Sequence, residues 1–268
     1  MEDRATTTRP GLDGALARAR AYLEAHGDRL DLARLAGSGP AEPPEPQNPD
    51  GGWPGRRSAG ASTVLSTCRT LDLLVGLDLV GADRTAAADF LVAAQALDGT
   101  WAEDSGEPGW SDGVPPEWLR PGSPPAGTHL TAYCARVLLV CAPEQPELHD
   151  VLERAAQALE WALDPHGRLP TPLPAHWFAA RVFRATGRQL QARRLLDVVG
   201  RLFDHLEVAD LVSFGADAEP GDRWSRRIAA RLLALQQPDG SWTAEGVATP
   251  RLTVDAIRAL QHVPADEV

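Results

Sequence analysis

One carboxylate and two histidines occupy positions where the sequence could support acid–base chemistry. Asp255 lies inside an apolar helical pattern, where burial would disfavour its charged form and make it a general acid. His129 and His176 stand at the starts of two further apolar helical patterns, where each could donate a proton or face a cation. Structural roles stay open for all three: Asp255 could pair with Arg251 or Arg258, and the histidines could bond to the backbone.

A set of arginines repeats within these apolar helical patterns. They are Arg69, Arg136, Arg181 and Arg258, each followed two positions later by an apolar residue. A ring of guanidinium groups could bind a diphosphate or a carboxylate. The sequence contains no lysine, however, so arginine is its default basic residue. A structural role, in which each arginine bonds to loop carbonyls of the next repeat, therefore stays open.

Aromatic residues near the same helix starts predict an apolar binding surface. The candidates are Tyr133, Trp177 and Phe178 in the helical patterns, and Trp110 and Trp118 in an insertion over residues 102–127. Aromatic faces attract cations and pack against apolar ligands. Long loops in compact domains are usually functional or disordered, and two tryptophans argue against disorder. We expect the insertion to form a lid over a binding site; a flap packed on the outside is the alternative.

A heptapeptide, Q-x-x-D-G-x-W, occurs three times and sets the spacing of the helices. It reads QNPDGGW from Gln47 to Trp53, QALDGTW from Gln95 to Trp101, and QQPDGSW from Gln236 to Trp242. The second interval is about three times the first, so two degenerate copies are expected between the last two. One candidate is WALDPHGRL, with Asp164, Gly167 and Trp161 in the glutamine position. EVADLVSF, with Glu207 and Asp210, agrees less well.

Amphipathic helical patterns precede the heptapeptides, and nearly all-apolar helical patterns follow them. An all-apolar helix is buried on every side, whereas an amphipathic helix is buried on one. The alternation therefore predicts an all-α protein with an inner and an outer ring of helices. Helix pairs are expected within 58–96, 127–163, 171–206 and 208–237. The last inner helix, 250–262, needs an outer partner, which the N-terminal helix from Gly11 to Gly27 would supply.

The heptapeptide between such helices resembles the QW repeat of squalene-hopene cyclases, related class II terpene cyclases and protein prenyltransferase β-subunits. The resemblance covers residues 45–262 and implies an α/α toroid of about ten helices. It also implies that the glutamine of each copy caps a neighbouring helix and that the tryptophan stacks over it. An isoprenoid or other lipophilic substrate would bind in the central cavity, where acid-initiated cyclisation, an isomerase or lyase reaction, could follow.

The motifs that carry chemistry in this family are missing. No D-x-D-D occurs, and the nearest acids, Asp72 and Asp78, follow the first inner-helix pattern. The D-D-x-x-D/E metal motif and the Asp-x-Cys zinc ligands are also absent, so we expect no metal and no cofactor. Two alternatives stay open: a non-catalytic toroid that binds a ligand or acts as a scaffold, and a toroid glycan hydrolase or lyase using carboxylates such as Glu117 and Asp255.

Composition limits the partners and the location. The net charge of −11 opposes contact with nucleic acid. No apolar run reaches the ~20 residues of a membrane-spanning helix, and the N-terminus is too polar for a signal peptide. We therefore expect a cytoplasmic protein with a lipophilic small-molecule partner, while a protein partner stays open. Residues 1–9 are expected to be disordered and 10–268 to form one toroid domain, with a Pro/Gly-rich connector over 37–57.

Overall fold

A computed structural model describes the protein over residues 11–37, 40–55, 60–79, 82–103, 120, 122–142, 145, 148–219 and 222–261. The described residues are predominantly helical, in agreement with the predicted all-α class, and their six strands have two residues each. Segment 1–9, Trp110, Trp118 and Glu117 lie outside the described residues, so the predictions for them remain predictions.

Eleven α-helices occur in the described part of the chain. They are α1 (Leu12–His26), α2 (Arg29–Ala36), α3 (Val64–Leu73), α4 (Arg84–Ala93), α5 (Pro124–Cys141), α6 (Leu148–Trp161), α7 (Leu173–Ala185), α8 (Gln189–Leu202), α9 (Val208–Gly215), α10 (Arg223–Leu235) and α11 (Pro250–Gln261). The strands are β1 (Pro40–Ala41), β2 (Trp53–Pro54), β3 (Ser62–Thr63), β4 (Asp78–Leu79), β5 (Thr243–Ala244) and β6 (Val247–Ala248). β1 pairs with β4 in parallel; β2–β3 and β5–β6 pair antiparallel.

The chain divides into two compact units. We call Met1–Gly37 with His205–Val268 the terminal unit and Ser38–Asp204 the central unit. In the terminal unit α11 packs against α1, α2, α9 and α10. The predicted contact between the N-terminal helix and the last inner helix is therefore present. The short helix α2 was not expected from the sequence; a capping box between Asp28 and Asp31 starts it.

In the central unit, α5 and α7 lie at the middle of the helix packing. α5 contacts α3, α4, α6 and α7, and α7 also contacts α6 and α8. Apolar side chains of α5 and α7 are buried on most sides, whereas α6 buries one face through Val151, Ala155 and Leu159. The two helix types that the sequence predicts are therefore present in this unit.

The three heptapeptides fold into the same turn. In each, the N–H of the residue after the glutamine donates to the carbonyl of the residue before the tryptophan at 2.9 Å. The glycine has a positive φ, between 85° and 93°, which other residues rarely adopt. There is also no room for a side chain: a Cβ on Gly51, Gly99 or Gly240 would lie 2.2–2.4 Å from a carbonyl oxygen of α4, α6 or α1, a helix of the same unit.

The glutamine and tryptophan side chains tie the second and third turns to two helices each, and the first turn to the start of α4 and to the loop before the turn. Gln95 Nε2 donates to the carbonyls of Gly99 (3.1 Å) and Val151 (2.9 Å), the latter on α6. Gln47 and Gln236 make the equivalent bonds to the Asp83 and Ala15 carbonyls. The buried indoles donate from Nε1 to backbone carbonyls, Trp101 to Leu91 and Trp242 to Leu232 on the preceding helix, and Trp53 to Glu45.

A fourth turn of this type occupies residues 163–169, which corrects its predicted register. Asp164 N–H donates to the Arg168 carbonyl (2.9 Å), and Gly167 has φ 74°. Leu163 therefore takes the glutamine position and buried Leu169 the tryptophan position. Trp161, expected in the glutamine position, is 74% exposed. EVADLVSF forms no such turn, because α9 already begins at Val208 and the segment has no glycine to break it.

Candidate functional site

The central unit contains an apolar cavity of about 330 Å³ at the N-terminal ends of α3 and α5. Leu65 of α3, the chain from Thr100 to Glu103, the first two turns of α5, and Ala158 of α6 with the adjacent Ala162 line it. Small-molecule sites typically have volumes of about 300–1,000 Å³. The cavity is therefore large enough for a small ligand and lies at the lower end of that range.

Two features fix the wall that α5 contributes. Ser123 caps the helix by accepting the Ala126 N–H at 3.3 Å. Pro124 lies in the first turn, where a backbone N–H would have no acceptor within the helix, and proline has no N–H. Thr131 then accepts the Trp101 N–H at 3.0 Å and donates to the Gly127 carbonyl at 2.7 Å. The turn at Trp101 and the first turns of α5 are thus held as one wall.

Two of the described lining residues carry ionisable side chains, Glu103 and His129. The Glu103 carboxylate accepts the Leu65 N–H in the first turn of α3, and a helix N-terminus stabilises negative charge there. Burial, with a smaller contribution from nearby Arg69, lowers the pKa of His129 to about 4. At neutral pH the imidazole is therefore neutral, and it is not the strong proton donor that an acid-initiated reaction needs.

The lowered pKa of His129 predicts a specific loss of stability in acid. The unfolded chain takes up a proton near pH 6.5, whereas the folded chain does so only near pH 4. The neutral His129 therefore makes its full contribution to the free energy of unfolding above pH 6.5, and this contribution is lost as the pH falls toward 4. We expect His129→Gln to reduce the pH dependence of the unfolding free energy in this window by up to about 1.4 kcal/mol per pH unit.

The measurement is urea denaturation at a series of pH values between 7 and 4, for wild type and variant. His166→Gln is the matched control, because His166 is exposed. Its pH profile should follow that of the wild type. If His129→Gln has the wild-type slope as well, the neutral, buried state of His129 is wrong.

Several predicted ligand-contacting residues meet beside the cavity. The rings of Tyr133 and Phe178 stack with centroids 5.4 Å apart, and the His129 ring lies 6.4 Å from Tyr133. Tyr133 donates its hydroxyl proton to Asp72 at 3.1 Å, and Asp72 also forms an ion pair with Arg136. Burial, followed by the charge of Asp72, raises the pKa of Tyr133 well above its ordinary value, so the phenol stays protonated.

The prediction that Arg69 occupies the same repeat position as Arg136 is wrong. The Trp53 N–H donates to Thr67 and the Trp101 N–H to Thr131, so these two threonines are equivalent. Asp72 then takes the position that Arg136 has in α5, whereas Arg69 is exposed. Asp72 lies within α3, not after it, which is why the sequence did not identify it as a partner of Arg136 and Tyr133.

His176 and Trp177 do not line the cavity among the described residues. His176 Nε2 accepts the Leu169 N–H at 3.1 Å, so Nδ1 carries the proton and donates to the Pro172 carbonyl at 3.2 Å. Burial is the main cause that lowers the pKa of His176. The neutral His176 ring thus accepts the N–H of the last residue of the fourth turn, as Thr131 accepts the Trp101 N–H in the second turn. Trp177 is buried in α7.

Asp255 lies in the terminal unit and forms an ion pair with Arg34 of α2. Its partner therefore comes from a helix that the sequence did not predict, and not from Arg251 or Arg258 on its own helix. Asp255 is also not the sole carboxylate on the apolar helices, because Asp210 lies on α9 and Asp72 on α3.

Replacing Asp255 with asparagine should reduce stability. Arg34 is buried, whereas the Asp255 side chain is 28% exposed. A hydrogen bond to a charged group contributes about 1.5–3 kcal/mol, and partial exposure weakens it. We expect Asp255→Asn to lower the unfolding free energy by about 1–2 kcal/mol, measured by urea denaturation. The exposed control Asp89→Asn should stay within about 0.5 kcal/mol; equal effects of the two changes would contradict the ion pair.

Neither a metal centre nor a membrane span is found in the part of the chain that the structure describes. No three His, Cys, Asp or Glu residues there are arranged to hold a metal ion. No helix there combines the length and the apolar character needed to cross a bilayer.

Comparison with known proteins gives a likeness in fold. No family model and no curated protein matches the chain. Twelve chains of solved structures match. One is a protein from Actinoplanes known by its crystal structure; it is similar with a TM-score of 0.55 and 17% identity over 94% of this chain and 99% of that chain. At this identity the likeness concerns the fold alone.

Proposed function

We propose that the chain is a single α/α toroid of the QW-repeat type. Four turns of the same geometry support this architecture, since each precedes an apolar helix. Inner-type helices α3, α5 and α7 pack in succession in the central unit, as do α9 and α11 in the terminal unit. The α1–α11 contact supplies the outer partner that a closed ring requires.

We infer that the protein binds an isoprenoid-like or other lipophilic small molecule in the cavity at the start of α3 and α5. The cavity itself carries this inference. Its wall is made mostly of apolar side chains, and its described ionisable groups are a neutral imidazole and a carboxylate bound to a helix N-terminus. Such a wall favours apolar ligands, because an apolar ligand leaves water for apolar surroundings and no charged side chain is left buried without a partner.

The geometry favours binding without acid-initiated turnover. A cyclase of that type holds a protonated carboxyl against its apolar substrate. Of the acids on the apolar helices, Asp255 and Asp72 are ion-paired and Asp210 does not line the cavity. Glu103, which does line it, accepts a backbone N–H. The non-catalytic alternative is therefore the better supported one. A glycan hydrolase has less support, because Asp255 is engaged by Arg34 and the described residues assemble no carboxylate pair in the cavity.

Binding can be tested with farnesol, a fifteen-carbon isoprenoid alcohol, by isothermal titration calorimetry. Ala158→Phe would place a ring in the cavity, while Ala93→Phe introduces the same ring at an exposed site on α4. We expect one farnesol per chain, unchanged affinity in Ala93→Phe and a loss of at least about tenfold in Ala158→Phe, which is about 1.4 kcal/mol. Equal affinity in all three proteins would contradict the proposed site.

A second experiment, a test for turnover, distinguishes ligand binding from catalysis. Wild type and Asp255→Asn are incubated with squalene and with geranylgeranyl diphosphate, and the extracts are examined by mass spectrometry for cyclised products. We expect both substrates to be recovered unchanged. A cyclised product formed by the wild type and lost in a folded Asp255→Asn variant would restore the acid-initiated cyclase.

A further inference from the structure

Two cysteines from different helices touch in the central unit. The Sγ atoms of Cys68 on α3 and Cys134 on α5 lie 3.2 Å apart, and both side chains are fully buried as free thiols. Cys141, at the C-terminal end of α5, is half-buried. The chain thus contains one contacting pair of thiols and one thiol placed apart from it.

The contact follows from the way the two helices are held. Trp53 fixes α3 through Thr67, the residue before Cys68, and Trp101 fixes α5 through Thr131, one turn before Cys134. α3 and α5 also pack against each other. Both sulfur atoms are therefore held in place by the fold, and bringing them together costs little further conformational entropy.

We propose that Cys68 and Cys134 are a disulfide-forming pair that links α3 to α5. The co-reactant is a small disulfide, such as oxidised glutathione. One cysteine thiolate attacks a glutathione sulfur, the S–S bond of the oxidant breaks, and glutathione leaves as a thiolate. The second cysteine thiolate attacks the mixed disulfide and releases the second glutathione. Two protein thiols lose two electrons and two protons, and one oxidised glutathione becomes two reduced ones.

The bond requires a modest rearrangement. A disulfide has an S–S length of about 2.05 Å, so the two sulfur atoms must approach by about 1 Å. Because neither thiol is exposed, exchange takes place as the helices dock during folding or while they separate transiently. Leu65 on α3 and Leu130 on α5 line the candidate cavity, so the bond would join two of its walls. The proposal does not depend on a ligand being bound there.

The test is to refold the full chain from urea in a buffer of oxidised and reduced glutathione. Samples are quenched in acid, denatured, alkylated with N-ethylmaleimide and weighed by mass spectrometry. The reduced chain should take up three adducts, one for each cysteine. After oxidation we expect one adduct and a cross-linked peptide pair containing Cys68 and Cys134. Dithiothreitol should restore three adducts, and the oxidised form should melt at a higher temperature.

Three controls make the result specific to the folded contact. The same buffer in urea should give at least about tenfold less of the Cys68–Cys134 cross-link, because the fold no longer holds the thiols together. Cys141→Ala should give the cross-link and no adduct, whereas Cys134→Ala should give no cross-link to Cys68. Folded chain held for days in the same buffer should reach the same end state without refolding.

The proposal is overturned if three adducts remain after both refolding and prolonged incubation. It is equally overturned if Cys141 replaces either partner in the cross-link, or if the yield is the same in urea. Because the readout counts thiols and needs no ligand, its failure leaves the farnesol-binding result unaffected, and the reverse also holds.

Discussion

Replacing Trp101 or Trp242 with alanine will lower the free energy of unfolding by about 3–5 kcal/mol. Both indoles are fully buried, and both donate from Nε1 to a backbone carbonyl at 2.7–2.8 Å. Truncation removes the buried ring, leaves a cavity and strands the carbonyl of Leu91 or Leu232. Equilibrium denaturation in urea, followed by circular dichroism, measures the change.

The exposed Trp161 is the matched control for both substitutions. It has the same side chain but is 74% exposed at the end of α6. Trp161→Ala should change the unfolding free energy by no more than about 0.5 kcal/mol. A Trp242→Ala variant as stable as Trp161→Ala would show that the turn at Gln236–Trp242 does not hold α10 and α1 in place.

Gly240→Ala will cost about 2–5 kcal/mol, for two separable reasons. Gly240 has φ 93°, a conformation that costs an L residue about 1–2 kcal/mol. An added Cβ would also lie 2.4 Å from the Arg18 carbonyl oxygen, which forces α1 to shift at a cost of about 1–3 kcal/mol. Urea denaturation again gives the total.

Gly246→Ala isolates the first of these costs, so the difference between the two variants measures the second. Gly246 has φ 78° in the same unit, but a Cβ there meets no heavy atom within 4 Å. Gly246→Ala should therefore lower the free energy of unfolding by only the backbone cost of a positive φ, about 1–2 kcal/mol. If Gly240→Ala and Gly246→Ala are equally destabilising, then the close approach of the turn to α1 contributes nothing to stability.

The turns could be predicted from the sequence because the glutamine, the glycine and the tryptophan each meet a different structural requirement of the turn. Gln95 must supply donors to two carbonyls, Gly99 must adopt a positive φ beside α6, and Trp101 must fill a buried site while donating a hydrogen bond. Few other residues meet these needs. Where the side chains change, as in the fourth turn, the glycine is recognised correctly, but the predicted glutamine position, Trp161, lies two residues before the actual one, Leu163.

The ionic and polar contacts could not be predicted, because they depend on which helices become neighbours. The sequence offers Arg251 and Arg258 on the same helix as partners of Asp255, yet its partner lies on α2, more than two hundred positions away in sequence. Asp72 was read as lying beyond its helix and so was not matched with Arg136. Glu103 lies two residues after the recognised turn at Gln95–Trp101, and that position is the available signal that its side chain belongs to the cavity.

A crystal structure of the chain with bound farnesol tests the central claim most directly. The account predicts electron density for one farnesol between Leu65, Leu130 and Ala158, with its hydrocarbon chain against the apolar wall. Density for farnesol at another place in the chain, or a cavity closed by the protein's own side chains while farnesol is absent, would contradict it.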